Sequence, residues 1–356
     1  MFQRSLGFIG LLLWALVWAA EPGQAGNHTL NIWDTQASSY NREVVGLMGI
    51  VFFFAAIVFV VVTGALIYVT VKFRRTGNET SLPPQTHGND RLEIAWTIIP
   101  TVIVLIIFGF TARSMIALDK PPAGAMVIEA RGWQFWWDFV YKAEGVRNSN
   151  EVIIPVGKPV IFEIRGGFGN ERGQSDVIHA FRITSMHGAQ DAIPGMVTKI
   201  YVTADKIGDY YGQCVELCGP SHSNMRFRVK VVSQEDYDRW INGAKAYTAA
   251  SNPQFAQGEA LFKASCAGCH AMKGVSEGLP NNPDLTFMGN RTTVGAGMWP
   301  NEPRWLEAWI KNSPGMKPGI KMPAFTQLSD AEVKAISDYL LSHKVDGLDL
   351  SALKKY

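Results

Sequence analysis

The sequence predicts a membrane-anchored multidomain chain: a two-helix transmembrane hairpin, then an all-β sandwich, then an all-α C-terminal domain. Three observations carry this. Two long uncharged runs lie in the first third. β-branched and aromatic stretches follow, separated by Gly, Pro and Asn at sandwich-like spacing. The last third returns to helical apolar spacing around Cys266-Ala267-Gly268-Cys269-His270. At 356 residues the chain has room for two or three domains. A net charge of +2 gives no strong field for nucleic acid, and none is expected as a partner.

In chain order, residues 1–25 read as a signal peptide, with Arg4 in the positive segment and Leu6 to Trp18 as its apolar core. A hairpin is expected over 40–118, with helices at about 44–71 and 94–117. The first run holds no charge for 28 residues, enough to span a bilayer with tilt. The second is uncharged for 19, from Ile94 to Ala112. Lys72, Arg74, Arg75 and Arg91 between them place the connecting loop in the cytoplasm, so everything after about residue 119 faces outward. Residues 119–232 form the β domain, 233–252 a short helix and linker, and 253–345 the helical domain. Leu328 to Ser342 has an amphipathic pattern, with Ser329 and Glu332 spaced for a capping box.

Chemistry concentrates in residues 212–225, where Cys214, Cys218, His222 and Met225 fall within a dozen positions. Thiolate, imidazole and thioether form a soft donor set that suits copper. A mononuclear blue-copper site needs one Cys, so the second thiol points to a pair of ions. The loop has one His; His179, at the end of an apolar β-branched run, is the candidate for a second. A structural zinc site and a disulfide remain alternatives on the residues alone. The other two of the four cysteines lie in the Cys-x-x-Cys-His motif, whose thiols can form thioethers to one haem with His270 as axial ligand. If both pairs hold cofactors, no cysteine is left for a disulfide.

The loop, with His179, Asp191-Ala192-Ile193-Pro194-Gly195 and the preceding membrane hairpin, resembles subunit II of haem–copper terminal oxidases, the subunit that carries the binuclear copper centre CuA. With the haem motif appended, the chain resembles the caa-type of cytochrome c oxidase, in which a cytochrome c domain is fused to subunit II. The resemblance implies a cupredoxin-like sandwich in which Cys214 and Cys218 bridge two coppers. His179 and His222 would each bind one copper, with Met225 and the Glu216 carbonyl as weak axial ligands. The Glu216 carboxylate would help hold magnesium at the contact with catalytic subunit I. Glu93 would lie at the mouth of a proton path; as a bare residue it reads as a snorkelling boundary carboxylate.

The family's Gln-Trp-aromatic-Trp pattern aligns on Gln134. Its first Trp, the usual docking route for a soluble cytochrome c, is replaced by Phe135, and Trp137 matches the second. His187 departs from the pattern and reads as a surface or interface residue. Lys317-Pro318-Gly319-Ile320-Lys321-Met322-Pro323 resembles the methionine loop of small cytochromes c, which makes Met322 the expected sixth haem ligand and Met316 the runner-up.

The expected function is an electron relay in the bacterial cell (inner) membrane. Electrons would pass from an external donor, a cytochrome c or a quinol-oxidising complex, through haem c and CuA to subunit I. Oxygen reduction and proton pumping belong to that other chain. Other oxidase subunits and membrane lipid are the further expected partners. A nitric-oxide reductase subunit with the same relay and a membrane-anchored copper-delivery protein are the rival readings.

Overall fold

The computed structural model describes residues 37–75, 77, 85, 87–167, 177–249 and 251–356. The expected signal peptide lies outside the described residues. Helices α1 (Ser39–Lys72) and α2 (Asp90–Leu118) are each long and apolar enough to cross a membrane, and their most apolar windows bury nothing. At 1.5 Å per residue they run about 51 and 44 Å, beyond the ~30 Å hydrocarbon core. Both begin earlier than their apolar runs because caps set their starts. The Ser38 hydroxyl accepts from Asn41 N–H and the Asn89 side chain from Leu92 N–H.

The N-terminal turn of α1 docks on the sandwich. Ser38 Oγ donates to Met186 O, Asn41 Nδ2 donates to Thr184 O, and Tyr40 stacks on His187 at 3.8 Å between ring centroids. His187 is therefore an interface residue, and burial holds its imidazole below the usual range.

Among the described residues, ten strands build two facing sheets. They are β1 (Met126–Trp133), β2 (Trp136–Tyr141), β3 (Val146–Ser149), β4 (Glu151–Pro155), β5 (Pro159–Gly166), β6 (His179–Ile183), β7 (His187–Ala192), β8 (Thr198–Thr203), β9 (Gly208–Cys214) and β10 (Arg226–Val232). One sheet runs β3-β2-β1-β5-β8 and the other β4-β10-β9-β6-β7. The β1–β5 and β4–β10 pairs are parallel and the others antiparallel. Strand β5 alternates buried and half-buried residues along its whole length, as a sandwich strand should. Trp137, Phe139, Phe162, Phe181 and Phe227 fill the space between the sheets. Strands β3, β7 and β9 have no clear apolar alternation in sequence; their partners across the ladder define them.

Helix α3 (Gln234–Ala246) starts at a Ser233 cap and buries Tyr237, Trp240, Ile241 and Ala244. The last module holds α4 (Ala256–Ser265), a ribbon of β11 (Thr293–Val294) and β12 (Trp299–Pro300), α5 (Pro303–Met316) and α6 (Asp330–Ser342). The Ser329–Glu332 capping box on α6 is present. Helix α5 has no counterpart in the sequence reading; Asn312, with non-helical backbone, and Pro314 interrupt its pattern.

The helical module is docked on the sandwich through specific contacts. Trp240 of α3 meets Phe287 edge-on at 4.9 Å. Buried Glu151 of β4 accepts from the backbone N–H groups of Thr292 and Thr293. Asp209 N–H donates to Lys354 O and Tyr356 N–H returns to Asp209 O, while Tyr356 stacks on Tyr210.

Candidate metal centre and haem-binding cavity

The loop after β9 folds its donors onto one point. Cys214 closes β9, pairing across the sheet with Phe181, two residues from the β6 start at His179. The 3-10 turn His222–Asn224 then returns the chain to β10, placing Met225 beneath the loop. The Cys214 and Cys218 sulfurs are 3.9 Å apart, with His179 Nδ1 3.8 Å from Cys214 Sγ. On the other side, His222 Nδ1 stands 3.6 Å and Met225 Sδ 3.8 Å from Cys218 Sγ. The Glu216 carbonyl lies 3.3 Å from Cys214 Sγ, while its side chain is exposed. Among the described residues, His179, Cys214 and Cys218 form a buried cluster whose ligand atoms all lie within 4.8 Å.

This geometry bears on the alternatives left open by the residues. Cys214 and Cys218 are free thiols, far beyond the ~2.05 Å of a disulfide. Six donors converge, more than the four of a structural zinc site. Metal–thiolate bonds of about 2.3 Å to sulfurs 3.9 Å apart give an S–metal–S angle of about 116°, so both sulfurs can share an ion without moving. The sandwich prepares the site electrostatically as well. Hydrogen bonding with Cys218 pushes Cys214 down to about 4, and the same contact pushes Cys218 up. A cation held by both sulfurs would displace the proton between them.

Trp137 is fully buried, with its ring 6.1 Å from the His179 ring on the core side of the site. Glu93 sits in the first turn of α2, with its carboxylate where the helix dipole favours negative charge.

A second cavity, of about 500 Å³, lies between the sandwich and the helical module. Cys266, Cys269 and His270 line it, and so does Met322. Met316, at the end of α5, is not among the lining residues; Met288, which the sequence reading passed over, is. The lining is mainly apolar, as a haem requires, and burial holds the His270 imidazole below its usual range, keeping it neutral for ligation. His270 Nδ1 is 2.8 Å from Pro283 O, which leaves Nε2 for iron.

The sandwich supplies one wall of this cavity through Trp133, Gln134, Phe135 and Trp136. Sequence reasoning singled out Phe135 but gave Trp133 and Trp136 no role. A Cβ at Gly219, next to Cys218, would stand 3.0 Å from Phe135 Cζ, and one at Gly319, in the methionine loop, 3.4 Å from Phe135 Cε2. Both glycines have positive φ, +134° and +82°, so the ring fits between the copper loop and the methionine loop because neither carries a side chain there. Lys317, buried beside this contact, donates to Phe135 O and Gly295 O, and burial pushes it down to about 7.

Comparison with known proteins finds relatives for three successive parts of the chain. A family model described as "Cytochrome C oxidase subunit II, transmembrane domain" matches residues 26–112. The corresponding periplasmic-domain model matches 143–232, and a "Cytochrome c" model matches 255–344. The chain is 36% identical over 299 residues to "Cytochrome c oxidase subunit 2" of Alkalihalophilus pseudofirmus, covering 82% of this chain and 84% of that one. The protein of the same name from Bacillus subtilis is 34% identical over 301 residues, covering 78% and 82%. That of Bacillus sp. strain PS3 is 31% identical over 295, covering 77% and 80%. With its copper-type sandwich, paired apolar helices and appended haem module, the chain belongs to the cytochrome c oxidase subunit II family, in the form that carries a C-terminal cytochrome c domain.

Proposed function

We propose that this chain relays electrons into a haem–copper oxidase, with the cytochrome c module as the point of entry. When bound, haem c and CuA each supply a one-electron carrier, and the order of transfer is external donor, haem c, CuA, then subunit I. Cys214, Cys218, His179 and His222 would hold the two coppers, with Met225 and the Glu216 carbonyl as weaker ligands. Cys266, Cys269, His270 and Met322 would hold the haem. The Glu216 carboxylate, exposed at the loop tip beside Leu217, would contribute to a magnesium ion at the contact with subunit I. Trp137, its ring 6.1 Å from that of His179, would serve electron transfer, and Glu93 would mark a proton entrance. Domain limits at 119, 232 and 252, and a bacterial inner membrane with both modules on the periplasmic or outer side, complete the reading.

The observation that carries the order of transfer is the covered wall at 133–136. The chain's own cytochrome module occupies the face where a soluble donor would meet a subunit II lacking one. Electrons then reach copper from within the chain, which accounts for Phe135 in place of a docking Trp. The same interface replaces a loose tether with a fixed geometry. Three measurements test this reading. Rapid mixing with a reduced external donor should reduce haem before copper; copper reduced first ends the reading. Cys214→Ser should abolish the near-infrared copper band and leave the covalent haem. Turnover of the purified complex with oxygen against nitric oxide separates the oxidase from the reductase.

A further inference from the structure

We propose that strand β3 of the copper-binding sandwich fixes the hydrogen bond of the haem ligand His270, so that Arg147 and Ser149 tune the reduction potential of a haem held by another module. The inference rests on the haem reading above and adds residues that contact neither the haem nor its ligands.

The ligand imidazole donates from Nδ1 to Pro283 O at 2.8 Å. The strength of that bond sets how much negative charge the ring carries, and hence how strongly it donates to iron. The carbonyl therefore has to be held in place. Pro283 lies in a loop, 280–284, without helix or strand. Part of its support is local: Asn282 Nδ2 donates to Cys269 O, and Asn282 N–H to Leu279 O.

The rest comes from β3. Arg147 Nη2 donates to Pro280 O at 3.0 Å and Asn282 O at 3.1 Å, before Pro283. Ser149 Oγ accepts from Asp284 N–H at 3.0 Å, after it. Between them, Asn148 Oδ1 accepts from Arg291 Nε at 3.3 Å, and Arg291 Nη2 donates to Asp284 O. Arg147 and Ser149 directly, and Asn148 through Arg291, thus grip the loop on both sides of the carbonyl that matters.

Strand β3 is suited to this. It is an edge strand, paired within its sheet only with β2, so its outer side is available to the haem module. Arg147 is itself immobilised: its Nε lies 2.9 and 2.8 Å from the two oxygens of fully buried Asp138 in β2. A charged donor fixed at one end by a buried carboxylate positions its other nitrogens with little freedom. The haem ligand is therefore referenced to the copper sandwich, and the loss of this grip lets Pro283 O drift from Nδ1.

The test uses the intact oxidase complex. Haem potential is measured by spectroelectrochemistry, with the near-infrared copper band as an internal control. Arg147→Ala should raise the haem potential, because a weaker Nδ1–H···O bond makes the imidazole a poorer donor to ferric iron; the copper band should stay. Arg147→Lys should give a smaller shift. Ser149→Ala, which deletes one acceptor, should shift in the same direction and carries the test if Arg147→Ala does not assemble. An unchanged haem potential in an assembled variant with covalent haem overturns the proposal. Absence of covalent haem in the wild-type complex instead sinks the haem reading on which it stands.

Discussion

Glu151→Ala is the sharpest test of a rigid joint between the two modules. Glu151 is 1% exposed. Its carboxylate accepts from Thr292 N–H at 3.0 and 3.1 Å, from Thr293 N–H at 2.9 Å and from Thr293 Oγ1 at 2.6 Å. Lys230, fully buried, lies 4.0 Å away but keeps Asp209 at 2.9 Å, so it is not stranded by the change. The main loss is the shared acceptor of two backbone donors, on half-buried Thr292 and Thr293, at about 1–3 kcal/mol each. A total of about 3–4 kcal/mol corresponds to roughly 100- to 1000-fold, since 1.4 kcal/mol is a factor of ten. Hydrogen exchange reads this directly: the protection of the Thr292 and Thr293 amides should fall by that factor, because opening the joint is what exposes them. Haem-to-copper transfer should become slower or heterogeneous. Glu151→Gln, which keeps one good acceptor, should lose about a tenth as much in protection factor. Protection within twofold of wild type in Glu151→Ala would show that the modules are held by something else.

Three further changes probe the site from other sides. Met322→Leu should convert the haem from low-spin to five-coordinate high-spin in the visible spectrum and lower its potential, while Met316→Leu should leave both unchanged; the reverse pattern would exchange the ligands. Phe135→Trp forces a larger ring between Gly219 and Gly319, and overpacking of this kind costs about 1–3 kcal/mol. The melting temperature should drop and interdomain transfer slow, and an unchanged melt would mean the gap is wider than the contacts indicate. Burial pushes Asp138 up to about 6 from an ordinary 3.8, against the pull of Arg147. The native state therefore takes up a proton that the unfolded chain does not. This group's contribution is full below about pH 4 and is lost as pH rises through 6. At ~1.4 kcal/mol per pKa unit the change is up to about 3 kcal/mol. Melting curves of Asp138→Asn and wild type should diverge with that sign between pH 7 and 4; a constant gap removes the inference.

The metal loop was legible because its donors are local. Cys214, Cys218, His222 and Met225 sit within twelve residues, and one turn between two strands brings them together. His179 was identified at a distance, and the β6–β9 pairing explains why it arrives there. The haem motif is likewise contiguous. What escaped notice has partners far away in sequence. Glu151, at the start of the strand Glu-Val-Ile-Ile-Pro, has nothing local to mark it; its partners lie 141 and 142 residues on. Arg147 and Ser149 carry no motif in the sequence, yet they hold the loop behind His270. Trp136 looks like its neighbour Trp137, but strand alternation sends Trp137 to the core and leaves Trp136 on the cavity wall.

The sequence by itself determined the parts: two membrane helices from uncharged runs, a sandwich from strand spacing, a soft-metal loop and a haem motif from donors close in the chain. Those are properties of short segments, set by period, charge and ligand type. Only the tertiary structure decided how the haem module and the copper sandwich meet, with Phe135 between two glycines and Glu151 and Arg147 gripping loops more than a hundred residues away. Such contacts follow from which strand lies at a sheet edge and which face it turns outward, and no local pattern records that.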